Sequence, residues 1–76
     1  MKELVEFIAK SLVDRPEAVE VGESEQEGAI VFELRVAKED IGKVIGKQGR
    51  IARALRTIIK ASAVKNGKRA IVEIVD

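Results

Sequence analysis

The residues best placed to do chemistry in this chain are Gly46-Lys47-Gln48-Gly49. Two glycines around a long polar pair, just before a segment that reads as a helix, can bring bare backbone N–H groups against an anion. The helix that follows points its positive end at the same spot. The chemistry expected is grip on a phosphate, not bond making. Histidine and cysteine are both absent, which excludes a disulfide framework and a Cys/His zinc site. No nucleophile stands beside a base, and no Asp-rich calcium loop occurs. No catalysis, cofactor or small-molecule substrate is expected.

Two nucleotide-binding motifs fail against the same residues. A triphosphate loop needs four residues between Gly and Gly-Lys and then Ser or Thr for magnesium. Gly42 and Gly46 enclose three, and Gln48 follows Lys47. The dinucleotide fingerprint needs glycines two apart, and this segment has none.

Charge points the loop at a polymer. From Lys38 to Arg69 there are ten basic residues and only two acids, Glu39 and Asp40. The rest of the chain holds four bases and eleven acids, so a net charge of +1 conceals a strongly dipolar chain. From Lys43 to Arg69 there is no acid at all. Ordinary surfaces mix both signs, so a single-sign stretch suits a polyanion. The bland alternative, a solvated helix face, stays open.

The elements that must position the loop are read from periodicity. Lys2 to Val13 places Leu4, Phe7, Ile8, Ser11 and Leu12 at helical spacing, and Pro16 follows its end. Ala18 to Glu23 predicts a short strand, and Glu23 to Gly28 a polar hairpin loop. From Ala29 to Val36, Ile30, Phe32, Leu34 and Val36 share one strand face. Glu39 to Ile45 predicts a short helix. Ile41, Val44 and Ile45 are its apolar positions, either core or an apolar floor beside the loop. Arg50 to Val64 predicts a long helix with Ile51, Leu55, Ile58, Ile59 and Ser62 inward. Its opposite stripe carries Arg50, Arg53, Thr57 and Lys60. Asn66-Gly67 suits its stop, and Ala70 to Val75 predicts a closing strand. The 76 residues suffice for one domain, an α+β fold in the order helix, strand, strand, helix, helix, strand. No apolar run approaches membrane-spanning length, and a cytoplasmic location is the default expectation.

Ile41-Gly42-Lys43-Val44-Ile45-Gly46-Lys47-Gln48-Gly49 resembles the signature of the KH domain, whose Gly-x-x-Gly loop clamps about four nucleotides. The element order is similar to the type II arrangement, a three-stranded mixed sheet with helices on one face. With the run Arg50-Ile51-Ala52-Arg53-Ala54-Leu55-Arg56, the whole chain, residues 1–76, resembles the bacterial single-KH KhpA family. The resemblance implies a single-stranded RNA binder acting as an RNA chaperone or post-transcriptional regulator. It also implies pairing with a KhpB-type KH protein or a second copy, and a link to cell-length and cell-envelope control. The carried-over RNA-binding residues are Gly46, Lys47, Gln48 and Gly49 in the loop, and Ile41, Gly42, Val44 and Ile45 before it. Lys43, Arg50 and Arg53 add charge. Ala52 departs from the family pattern, which has a bulky aliphatic three residues after the second glycine.

Only two aromatics exist, Phe7 and Phe32, both on core-like faces. Aromatic stacking, worth about 1–3 kcal/mol per base, is therefore largely closed to this chain. Base-edge contacts are expected from strand backbone around Phe32 to Val36. A protein-pairing module with incidental nucleic-acid binding is the other reading.

Overall fold

A computed structural model describes residues 1–75; Asp76, the last residue of the expected domain, lies outside the described residues. Helix α1 spans Lys2–Leu12, strands β1 and β2 span Glu20–Gln26 and Ala29–Arg35, helix α2 spans Ile41–Ile45, α3 spans Arg50–Lys65, and β3 spans Arg69–Val75. Short 3-10 turns occupy Pro16–Ala18, Lys38–Asp40 and Lys47–Gly49. The architecture is α+β with a three-stranded mixed sheet, as expected. The strand order is β1-β2-β3, antiparallel between β1 and β2 and parallel between β2 and β3.

The core lies between the helices and one sheet face. Phe32 and Leu34 of β2 meet Val72 of β3, Val21 of β1, Val5 and Ala9 of α1, and Leu55 and Ile59 of α3. Each large aliphatic side chain buried here contributes about 1.5–3 kcal/mol. The small residues Ala9, Ala52 and Ala63 are also buried, which lets helix backbones approach their neighbours closely.

Packing corrects several faces expected from the sequence. On α1 the buried positions are Val5 and Ala9, with Leu4, Ile8 and Leu12 partly buried around them. Phe7 is 70% exposed and Ser11 is exposed. On α3 the inward line is Ala52, Leu55, Ile59 and Ala63. Ile58, expected inside, is 48% exposed. Both helices carry a wide apolar arc, and the sheet covers only its centre.

The hairpin is tighter than expected. Ala18 belongs to a 3-10 turn opened by Pro16, and β1 runs on to Gln26. The connection is only Glu27-Gly28, both at positive φ, 52° and 80°. That is the signature of a two-residue primed turn. The polar stretch Glu23–Gln26 reads as loop because β1 is an edge strand exposed along most of its length. Its backbone nevertheless pairs fully with β2, from Glu20↔Arg35 to Gln26↔Ala29.

Helix α3 ends on a backbone lock. Gly67 adopts φ 71°, its N–H donates to Val64 O at 2.9 Å, and Lys68 N–H donates to Ala63 O at 2.8 Å. This pair of bonds is the Schellman closure. It turns the chain back so that β3 starts beside Ala29, at the hairpin end of the sheet. The start of α3, with the glycine loop, therefore lies about 24 Å away along the helix, at the other end.

Candidate nucleic-acid interface

The glycine loop is shaped by two different demands. Gly46 closes α2, donating to Gly42 O at 2.9 Å, and adopts φ 77°, ψ 171°. That backbone region is essentially reserved for glycine. A Cβ there would lie 2.6 Å from Ile51 Cγ1 and 2.8 Å from Ile51 Cβ. Ile51 thus lies flat on Gly46, while Ala52 is buried in the core. The Ala52 departure is accommodated by this division of labour. Gln48 (φ 57°) and Gly49 (φ 71°) are both left-handed, and nothing lies within 4 Å of a Cβ placed on Gly49.

The loop is a 3-10 turn set between two helices. Gly49 N–H goes to Gly46 O at 3.1 Å and Arg50 N–H to Lys47 O. Lys47 and Gln48 open this 3-10 turn, and the leading amides of such a turn find no acceptor within it. No side chain caps the start of α3. Lys47, Gln48 and Arg50 are exposed, with Arg50 Nη2 donating to Gln48 Oε1 at 3.3 Å. Lys47 and Arg53 make no ion pair among the described residues. The leading amides of a turn, a helix start without a side-chain cap and cations without an ion pair are the parts an anion-binding surface is made from.

The residues before the loop divide sharply. Val44 is fully buried and belongs to the core, so its side chain is not part of an exposed floor. Ile41 is partly buried and packs on that core. Ile45 is 38% exposed and is the apolar side chain that reaches the surface here. Gly42 is exposed, with nothing within 4 Å of an added Cβ and without a left-handed φ. The fold itself gives no reason for glycine at position 42.

Lys43 has a different occupation from the one expected. Its Nζ pairs with Asp14 and lies 3.8 Å from Asp40 Oδ1. The hydrogen bond it donates to Asp14 holds its pKa above the ordinary lysine value. Asp40 is buried and accepts Arg15 N–H at 3.0 Å on Oδ2. Arg15 in turn reaches Glu39 Oε2 at 3.3 Å and Glu17 Oε2 at 3.2 Å. Hydrogen bonding to Glu17, then to Glu39, raises the Arg15 pKa. These groups clasp the segment after α1 to the start of α2, which fixes the helix carrying the loop. The sequence reading missed the clasp; its only trace is the placement of Asp14-Arg15 and Glu39-Asp40 at the ends of two predicted helices.

The expected base-edge contacts from β2 are not open through Arg35. β2 is the central strand, and Ala29 to Arg35 pairs with β1 on one side and β3 on the other. Val36, just beyond, is buried. Among the described residues no acidic cluster suited to a metal occurs, and no helix is long and apolar enough to cross a membrane.

The order of elements and the Gly-x-x-Gly loop between two helices define a KH domain. A family model described as the KhpA/KhpB KH domain matches residues 2–74. The chain belongs to this family. It is 63% identical to the RNA-binding protein KhpA of Clostridium perfringens, over 99% of this chain and 100% of that one. It is 64% identical to the Clostridium acetobutylicum protein of the same name with the same coverage. It is 55% identical to the Aquifex aeolicus one, over all of this chain and 96% of the other. Among solved structures, Era of Aquifex aeolicus matches with TM-score 0.69 at 19% identity, covering 96% of this chain. Era in complex with MgGDPNP and a segment of 16S ribosomal RNA matches with TM-score 0.67, also at 19% identity and 96% coverage. The chain spans 28% of each Era chain, and this likeness concerns the fold alone.

Proposed function

We propose that this chain binds single-stranded RNA by its backbone. The observation that carries the reading is the loop: the leading amides of Lys47 and Gln48 in a glycine-bounded turn, beside the start of α3, which no side chain caps. Lys47, Arg50 and Arg53 supply charge; Gly42 and Ile45 border the strand; Gly46 and Gly49 let phosphates approach the main chain. Relatives of about 63% identity carry the name RNA-binding protein, and Era, of the same fold, has been captured with ribosomal RNA. The grip is on phosphate and sugar, so sequence selectivity is low. Within its family the chain acts as an RNA chaperone or post-transcriptional regulator. It works as a single KH domain paired with a KhpB-type protein or a second copy, in cell-length and envelope control.

The test is the double substitution Lys47→Asp/Gln48→Asp. Both side chains are exposed, so the fold should survive while RNA affinity collapses; unchanged affinity would sink the reading. For wild type, three or four neutralised phosphates give a log–log salt slope of about −2 to −3 on single strands.

One observation favours protein pairing as a second role. Ile58 is 48% exposed, and the exposed Ala54 and Ala61 flank it at helical spacing. Sedimentation of Ile58→Asp checks it: a surface used for pairing gives a smaller species, with the loop still intact.

A further inference from the structure

The line of residues that starts at the loop does not end with it. Arg50, Arg53, Thr57, Lys60 and Val64 recur every three or four residues along one exposed face of α3. At the far end the line enters a shallow groove of about 230 Å³ between α3 and β3. Lys60, Val64, Arg69, Ala70 and Ile71 line it. Val64 is 63% and Ile71 46% exposed, an unusual outlay of aliphatic surface beside two cations. Lys60 and Arg69 make no ion pair among the described residues.

We infer that this groove is a second contact for the same RNA strand, with phosphates on Lys60 and Arg69 and a base against Val64 and Ile71. The inference rests on the RNA reading of the loop and extends it. Three observations favour RNA over an acidic protein segment. The charged line is continuous from the loop, and no acid interrupts it from Lys43 to Arg69. Cations stand on both the helix and the strand side of the groove. An added protein strand would need the free backbone of β3, and Arg56 Nε already donates to Val72 O there at 3.3 Å. Val64 in the groove lies about 21 Å along α3 from Arg50, so a strand centred on the loop reaches it only by running on past the roughly four nucleotides a KH loop clamps.

The experiment compares a tetranucleotide with a dodecanucleotide of uridine on wild type and on Lys60→Gln/Arg69→Gln. NMR titration reads the short strand and fluorescence anisotropy the long one. Both substituted residues are exposed, so the melting curve should be unmoved. The double variant should lose about tenfold in affinity for the dodecamer and less than twofold for the tetramer. Its salt slope on the dodecamer should flatten by about 1.4, two phosphates at 0.7 each. Equal losses at both lengths, or none at either, would overturn the groove. So would a fall in sedimenting mass, which would make it a protein interface. The loop variant Lys47→Asp/Gln48→Asp separates the two readings: its failure to weaken the tetramer refutes the loop, whereas the groove stands or falls on length dependence alone.

Discussion

Two tight turns in this molecule share a backbone shape and differ in nearly everything else. At Glu27-Gly28 and at Gln48-Gly49 a non-glycine and then a glycine take positive φ, 52° and 80° in one, 57° and 71° in the other. Neither Gly28 nor Gly49 has anything within 4 Å of an added Cβ. The first turn joins two paired strands, spends its backbone in closing them, and sits beside Glu23, Glu25 and Glu27. The second joins two helices, opens on the leading amides of a 3-10 turn, and sits beside Lys47 and Arg50. Left-handed backbone is therefore not what distinguishes the proposed binding loop. The added ingredients are Gly46 under Ile51, an uncapped helix and the sign of the nearby charge.

The largest expected difference is in stability. Gly46→Ala forces a side chain into a glycine-only conformation and against Ile51, costing about 1–3 kcal/mol for the backbone and about 1–3 kcal/mol for overpacking. Gly28→Ala meets open space and costs about 1–2 kcal/mol for its φ alone. Urea unfolding of the two variants checks the gap; equal losses would mean Ile51 moves aside without cost.

The next difference is in binding. Lys47→Asp/Gln48→Asp should lower RNA affinity by about two orders of magnitude, roughly 2.7 kcal/mol, in line with losing one or two charge-assisted bonds at about 1.5–3 kcal/mol each. Glu27→Gln, at the opposite end of the sheet, should change it less than twofold. A comparable effect at the hairpin would show that the whole dipolar surface, and not the loop, sets affinity.

These contrasts mark where the sequence was legible. The loop, the order of elements and the all-basic α3 follow from glycine placement, period and charge, which act locally. What was misread depends on which part of an apolar arc the sheet covers. Ile41, Val44 and Ile45 all satisfy helical spacing, yet only packing puts Val44 inside and Ile45 at the surface. Phe7 outranks Val5 and Ala9 in size but points away from the sheet. Residues Glu23–Gln26 form a strand through pairing with β2, which no local preference reveals. Lys43 looked like a free cation because Asp14, its hydrogen-bond partner, reaches it only through the tertiary fold.

A smaller effect separates the turns by residue choice. Glu27 occupies the first position of a primed hairpin turn, where Asn is far better tolerated. Glu27→Asn should stabilise the fold by about 1 kcal/mol, read as a higher urea midpoint at unchanged m-value, with RNA affinity unmoved. Gln48→Asn should ease the same left-handed φ in the loop, yet it replaces the side chain that holds Arg50 Nη2. Stabilisation without any change in binding at position 48 would mean the Gln48–Arg50 contact is idle in the complex.

The smallest expected effect concerns Gly42, the glycine that neither turn requires. It sits in α2 without a left-handed φ and with open space around it. Alanine in a helix interior is favoured over glycine by about 0.5–1 kcal/mol. Gly42→Ala should therefore raise the melting temperature by about 2–8 °C for a chain of this size. A residue that weakens its own helix is explained if the bare backbone serves a ligand. Gly42 lies one turn before Gly46, whose N–H it accepts, so a strand held by the loop would run over it. The same alanine should then cost a few-fold in RNA affinity while the protein melts higher. A hotter melt with undiminished binding would remove the first turn of α2 from the interface and confine the grip to residues 46–53.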